Sequence, residues 1–153
     1  MEERVYLEHK AILSIATEAN LEDIFSLVDS YVSENGLIYI DPSIAKKTLT
    51  QITKINGVLL LRYNEEIVGG MAGYIMPGLF MKDNFFSTLF LYLKKDYRSL
   101  TKKLITEAEK ILKVAGVSQL VYGVPYSLDS KNLGRFFRIM GYNNLETHYC
   151  KEI

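Results

Sequence analysis

Between Lys94 and Lys103 the sequence reads KKDYRSLTKK, five cations against one acid. An apolar run, Phe85 to Leu93, precedes it. After it, Leu104, Ile105, Ala108, Ile111, Leu112 and Ala115 recur at helical spacing and stop at Gly116. That pattern predicts a strand, a tight loop and a helix. The first turn of a helix presents amide N–H groups with no intrahelical partner, and cations beside them favour an anion. The chemistry this suits is binding of a phosphate-bearing ligand, with Arg98, Ser99, Thr101, Lys102 and Lys103 as donors, against the plainer reading of an ordinary solvated first turn. Metal chemistry is not expected, because the chain holds two histidines and one cysteine.

The elements that must position this stretch are legible on either side of it. Ile12 to Ala16 reads as a first strand. Asn20, with Asp23 three residues on, reads as the cap of a helix carrying Ile24, Leu27, Val28 and Tyr31, which Asn35-Gly36 ends. Asp41-Pro42 reads as cap and first residue of a second helix, closed by Asn56-Gly57. Val58 to Arg62 and Ile67 to Met76 form a hairpin about the turn Tyr63 to Glu66. Gly69, Gly70 and Gly73 lie inside its second strand, where glycine marks a bulge or a close backbone approach. Beyond the central stretch come a strand from Gln119 to Val124, a helix from Ser130 to Met140 and a last strand from Asn144 to Lys151. The order β-α-α-β-β-β-α-β-α-β predicts an α/β chain with antiparallel strands first and a βαβ unit later.

Composition narrows the function classes. At 153 residues and 48% hydrophobic, the chain fits one globular domain spanning 1–153. Eighteen cations balance eighteen acids, which leaves no global field to recruit nucleic acid or an anionic membrane. The opening residues, MEERVYLEHK, carry no apolar core of a secretory signal, and no apolar run reaches the ~20 residues of a membrane span. Cys150 is the single cysteine, which suits a reducing compartment, so a cytoplasmic protein is expected.

The order of elements and several motifs together resemble the GCN5-related N-acetyltransferase (GNAT) superfamily over most of the chain. "ILSIATEANLEDI" resembles its first strand and helix, "VLLLRYNEEIVGGMAGYI" its second and third strands. "LFLYLKKDYRS" followed by "KKLITEAEKILKVAGV" resembles its fourth strand, pyrophosphate loop and third helix. "LGRFFRIMGYNNLETHYCKEI" resembles its late helix and last strand, in the manner of members commonly encoded by bacteriophages. The resemblance implies a mixed, mostly antiparallel sheet flanked by about four helices, with a splayed strand pair forming a cofactor cleft. It also implies acetyl transfer from acetyl-CoA to an amine. The pantetheine arm would pair with backbone groups near Leu91 and Leu93, and the pyrophosphate would meet the amides after Arg98.

The same comparison exposes departures. Thr101 and Lys103 stand where the family's loop carries glycines, and the loop is about two residues shorter. Phe137 occupies the position of the usual leaving-group tyrosine, and Ser87 or Thr88 that of a glutamate base. A missing acid costs ~10²-fold or more. Tyr126 is the best substitute acid, against the plainer reading of a loop tyrosine packing its ring. His148, on the last strand, is a candidate base or a structural histidine, and Glu146 a candidate amine anchor or a surface acid. Tyr92 lies on the fourth strand facing either cleft or core. Asn132 stands near where the family often places an asparagine against the pantetheine, or simply caps its helix. Two readings remain: an N-acetyltransferase acting on a small-molecule or protein amine, or a GNAT-fold chain that has lost catalysis and serves as a binding or structural component. A homodimer through strand edges or the 79–81 tip fits both.

Overall fold

The computed structural model describes residues 10–36, 41–78, 83–123, 130–145, 151 and 153. The chain divides into two compact units, Met1–Gly123 and Val124–Ile153. In the first, β1 (Ala11–Ile15) leads through a 3-10 turn (Glu18–Asn20) into α1 (Leu21–Glu34). Then follow α2 (Pro42–Lys54), β2 (Val58–Tyr63), β3 (Glu66–Pro77), β4 (Asn84–Leu93), a second 3-10 turn (Lys95–Leu100), α3 (Thr101–Val114) and β5 (Val117–Tyr122). The five strands lie in the order β1-β2-β3-β4-β5, antiparallel except for the parallel pair β4–β5, which α3 connects.

Local chemistry accounts for most boundaries. Asp41 caps α2 as expected, its carboxylate accepting from Ser43 N at 2.9 Å and Ser43 Oγ at 2.7 Å, with Pro42 at the first helical position. Asn20 does not cap forward onto Asp23. Its Oδ1 instead accepts from Thr17 N at 3.0 Å and Thr17 Oγ1 at 3.3 Å, closing the 3-10 turn from which α1 continues. A short polar side chain satisfies a backbone group three residues behind it as readily as one ahead. The hairpin turn is tighter than the sequence suggests: Asn64 and Glu65 alone span it, at φ +46° and +68°. Two left-handed residues match the right-handed twist of the flanking strands.

The sheet is buried on both faces, so β2 reads as an unbroken apolar run rather than an alternating one. Val58, Leu60, Ala72 and Phe90 pack with Ile24, Leu27 and Val28 of α1 and Leu49 and Ile52 of α2. Leu59, Leu61 and Met71 point the other way, and α3 supplies fully buried Leu104, Ile105 and Ala108. Burying a residue such as Leu104 contributes about 1.5–3 kcal/mol. Among the described residues no helix is long and apolar enough to cross a membrane.

In the second unit, α4 (Ser130–Ile139) ends in a hydrogen-bonded left-handed cap. Gly141, at φ +91°, donates to Arg138 O at 3.0 Å, and Tyr142 N donates to Phe137 O at 2.9 Å. The rings of Phe137 and Tyr142 close this cap at a centroid separation of 5.4 Å. Phe137 thus has a packing role in its own unit, at 6% exposure. Of the last strand expected over 144–151, Asn144, Leu145 and Lys151 are not in a strand, and residues 146–150 lie outside the described residues.

Candidate functional site

The site is built around an irregularity in β4. Ala72 pairs with Phe90 and Gly73 with Thr88, so Thr88 and Leu89 together oppose one residue of β3. The extra residue, Leu89, makes a β-bulge and reverses which face the following side chains occupy. Phe86 pairs with Ile75, whereas Phe90 pairs with Ala72 and joins the α1–α2 cluster. Gly73 is what permits the bulge. A Cβ there would stand 2.2 Å from Ser87 O and 2.7 Å from the Phe86 ring, and one at Gly57 would meet Gly73 O at 2.3 Å. Three stretches of backbone therefore approach at a point that only glycines can fill.

At the bulge the sheet opens. The β4–β5 ladder ends at Thr88 and Tyr122, while β4 stays paired with β3 as far as Gly69 and Leu93. From Leu89 to Leu93, no described strand lies on the β5 side of β4. The direction of the backbone groups follows from one bond: Lys94 N donates to Val68 O at 2.9 Å. Hydrogen-bonded and non-bonded pairs alternate in an antiparallel ladder. Residues 90, 92 and 94 thus turn their N–H and C=O groups to β3, and Leu91 and Leu93 turn theirs outward, to the opened edge. An extended ligand arm with amides of its own would find there a strand edge to pair with. Thr88 Oγ1, at the mouth of the opening, is buried and has no hydrogen-bond partner among the described residues. A buried hydroxyl left unpaired is uncommon enough to call for a reason, and the one sequence signal for it is its place, with Ser87, at the position of the family's glutamate base.

The basic stretch does not form an open loop. Lys95–Leu100 winds into a 3-10 turn that continues straight into α3, anchored by fully buried Leu100. Tyr97 packs its ring on Tyr63 at 5.6 Å, and Lys94 Nζ binds Glu66 Oε1 at 2.6 Å, tying the turn to the β2–β3 hairpin. Thr101 N and Thr101 Oγ1 both donate to Arg98 O, the latter at 2.7 Å. Lys102 and Ser99 are exposed and Lys103 half-buried along the start of α3. Arg98 is ion-paired to Glu34, the last residue of α1. Two of the five cations are thereby matched by acids distant in sequence.

Glu34 is a site residue that the sequence did not indicate. Its second oxygen accepts from Tyr92 Oη at 2.9 Å. Tyr92 sides with the α1–α2 cluster, its ring edge-on to Tyr31 at 6.0 Å, and Tyr31 also meets Phe90 at 5.9 Å. Leu91, Leu93, Arg98, Ser99, Thr101, Lys102 and Lys103 thus gather at the opened edge and the adjoining helix start. Asn132 is exposed on α4, in the second unit. Tyr126, Glu146, His148 and the 79–81 tip lie outside the described residues.

No family model matches the sequence, and no curated protein matches it. Solved structures do. An aminoglycoside acetyltransferase from an uncultured soil metagenomic sample, in complex with sisomicin, superposes with TM-score 0.75 at 15% identity, over 96% of this chain and 99% of that one. The ribosomal-protein-alanine N-acetyltransferase of Brucella melitensis biovar Abortus matches with TM-score 0.75 at 15% identity, over 95% and 100%. A GNAT family acetyltransferase of Staphylococcus aureus matches with TM-score 0.66 at 18% identity, over 94% and 99%. The five-stranded sheet, opened between β4 and β5 and flanked by helices, is the fold of the GNAT acetyltransferases.

Proposed function

We propose that this chain is an acyl-CoA-dependent N-acyltransferase that moves an acetyl group from acetyl-CoA to a primary amine. The observation that carries the reading is the opened β4 edge, with the backbone groups of Leu91 and Leu93 turned into it beside a cationic helix start. Pantetheine has two amides and pairs with such an edge as a strand would. The helix start supplies Arg98, Lys102 and Lys103 for the phosphates. In the reaction the amine nitrogen forms a bond to the thioester carbonyl carbon, the C–S bond breaks, and a proton passes from the amine towards the departing thiolate. Tyr126 is the residue we assign to deliver that proton, and His148 to receive one from the amine. The acceptor is a small-molecule or protein amine, and the donor and single cysteine suit the cytoplasm. Isothermal titration with acetyl-CoA tests the reading: saturable heat supports it, and none at high micromolar ligand refutes it.

A second reading has its own support. Thr101 and Lys103 replace the family's glycines, the donors of Thr101 are spent on Arg98 O, and Phe137 belongs to a helix cap. On that reading the chain keeps the fold as a binding or structural component, as a phage-encoded relative of the enzymes would. Turnover with a panel of amines, abolished by Arg98→Glu, would rule it out.

A further inference from the structure

The Glu34 cluster has a use beyond holding α1 against the sheet. One carboxylate oxygen binds Arg98 Nη2 and the other accepts from Tyr92 Oη at 2.9 Å. Tyr92 stands between Leu91 and Leu93, whose backbones face the opened edge, so the carboxylate lies one side chain's reach from that edge. Tyr92, whose hydroxyl meets the carboxylate, stands with its ring edge-on to that of Tyr31 at 6.0 Å, and Tyr31 lies three residues before Glu34 on α1. A carboxylate near tyrosine side chains suits an ammonium group, which takes the charge of the one and can settle on a ring of the other. The Arg98 and Glu34 side chains are 47% and 38% exposed. A pair that exposed is worth little net, so it exchanges with competing ions instead of acting as a permanent strut. Phosphate can take the guanidinium in a two-pronged geometry and with more charge, whereas Glu34 meets it through one oxygen.

We infer that Glu34, with Tyr31 and Tyr92, is the anchor for a cationic group of the acceptor, held on Arg98 until the donor's phosphates draw that guanidinium away. The acceptor class is an amine bearing a second positive charge besides the nitrogen that reacts, because the group on Glu34 stays protonated. Donor and acceptor then assist each other: phosphate on Arg98 frees Glu34, and by reciprocity a cation on Glu34 frees Arg98. This inference rests on the N-acyltransferase reading.

Titration calorimetry with coenzyme A, which keeps the phosphates and has no acetyl group to transfer, tests it. Glu34→Gln should tighten coenzyme A by up to about five-fold, the upper end for one exposed ion pair. In an Arg98→Gln background the same change should do nothing. 1,4-Diaminobutane, compared with sodium chloride at matched ionic strength, should tighten coenzyme A in the native protein and not in Glu34→Gln. Circular dichroism confirms that each variant is folded. The inference fails if Glu34→Gln leaves the affinity unchanged or weaker, or if diaminobutane has no effect. It fails equally if the tightening persists without Arg98, which would mark a through-space field. Native protein that binds no coenzyme A overturns the parent reading first, and so separates the two failures.

Discussion

Gly73→Ala is the substitution that tests the geometry of the site most directly. Ordinary contact with a Cβ begins at 3.4 Å, and this one would stand 2.2 Å from Ser87 O, so β4 must retreat by about an ångström. A ladder bond of about 2.9 Å does not survive that displacement. Losing one or two such bonds at about 1 kcal/mol each, with the strain of overpacking beside Phe86, comes to about 3 kcal/mol. For a chain of this size that lowers Tm by about 6–12 °C. Gly134→Ala is the opposite control: its Cβ meets no atom of the described residues within 4 Å, and alanine in place of a helical glycine gains about 0.5–1 kcal/mol. Urea and thermal unfolding followed by circular dichroism measure both. Because the retreating segment contains the bulge at Leu89, acetyl-CoA binding should weaken in Gly73→Ala and stay unchanged in Gly134→Ala. If Gly73→Ala unfolds within a degree of the native protein, the close approach that defines the bulge is not there.

Other outcomes follow from the same contacts. Leu104→Ala, fully buried on α3, should cost about 2–5 kcal/mol in urea unfolding, since the cavity forms where helix and sheet both stay rigid. Arg98→Gln should raise the dissociation constant for acetyl-CoA about tenfold, read by calorimetry, with secondary structure intact. Hydrogen bonds from Ser43 hold the Asp41 carboxyl below its usual 3.8. A depressed folded pKa means stability that is present above the unfolded value and lost as pH falls through the folded one. Asp41→Ala should therefore lower Tm near neutral pH, and the gap from native should close as the pH drops below 3.8.

Local signals were strong for most of the fold. Asp41-Pro42, the Asn-Gly pairs and the apolar periodicity of α1 and α3 act within a few residues of themselves, so their outcome is legible in one dimension. The glycines of β3 announced a bulge or a close approach, and Gly73 makes both. Asn20 misled because an Asn side chain has two local partners within reach and only the surrounding turn selects one.

The amino-acid sequence by itself determined the order of strands and helices from Ala11 to Ile139, the apolar run of β4 and the cations gathered at the start of α3. Each of these depends on residues near in the chain. Tertiary structure alone decided what those cations do. Arg98 meets Glu34, Lys94 meets Glu66, and Tyr92 reaches Glu34 from 58 residues away. It also decided that the β4–β5 pairing ends at Thr88 and Tyr122, so the backbones of Leu91 and Leu93 are turned to an edge that no described strand covers. No short-range pattern encodes such pairings, because charge and hydrogen bonding act on distance in space, and the sheet sets that distance.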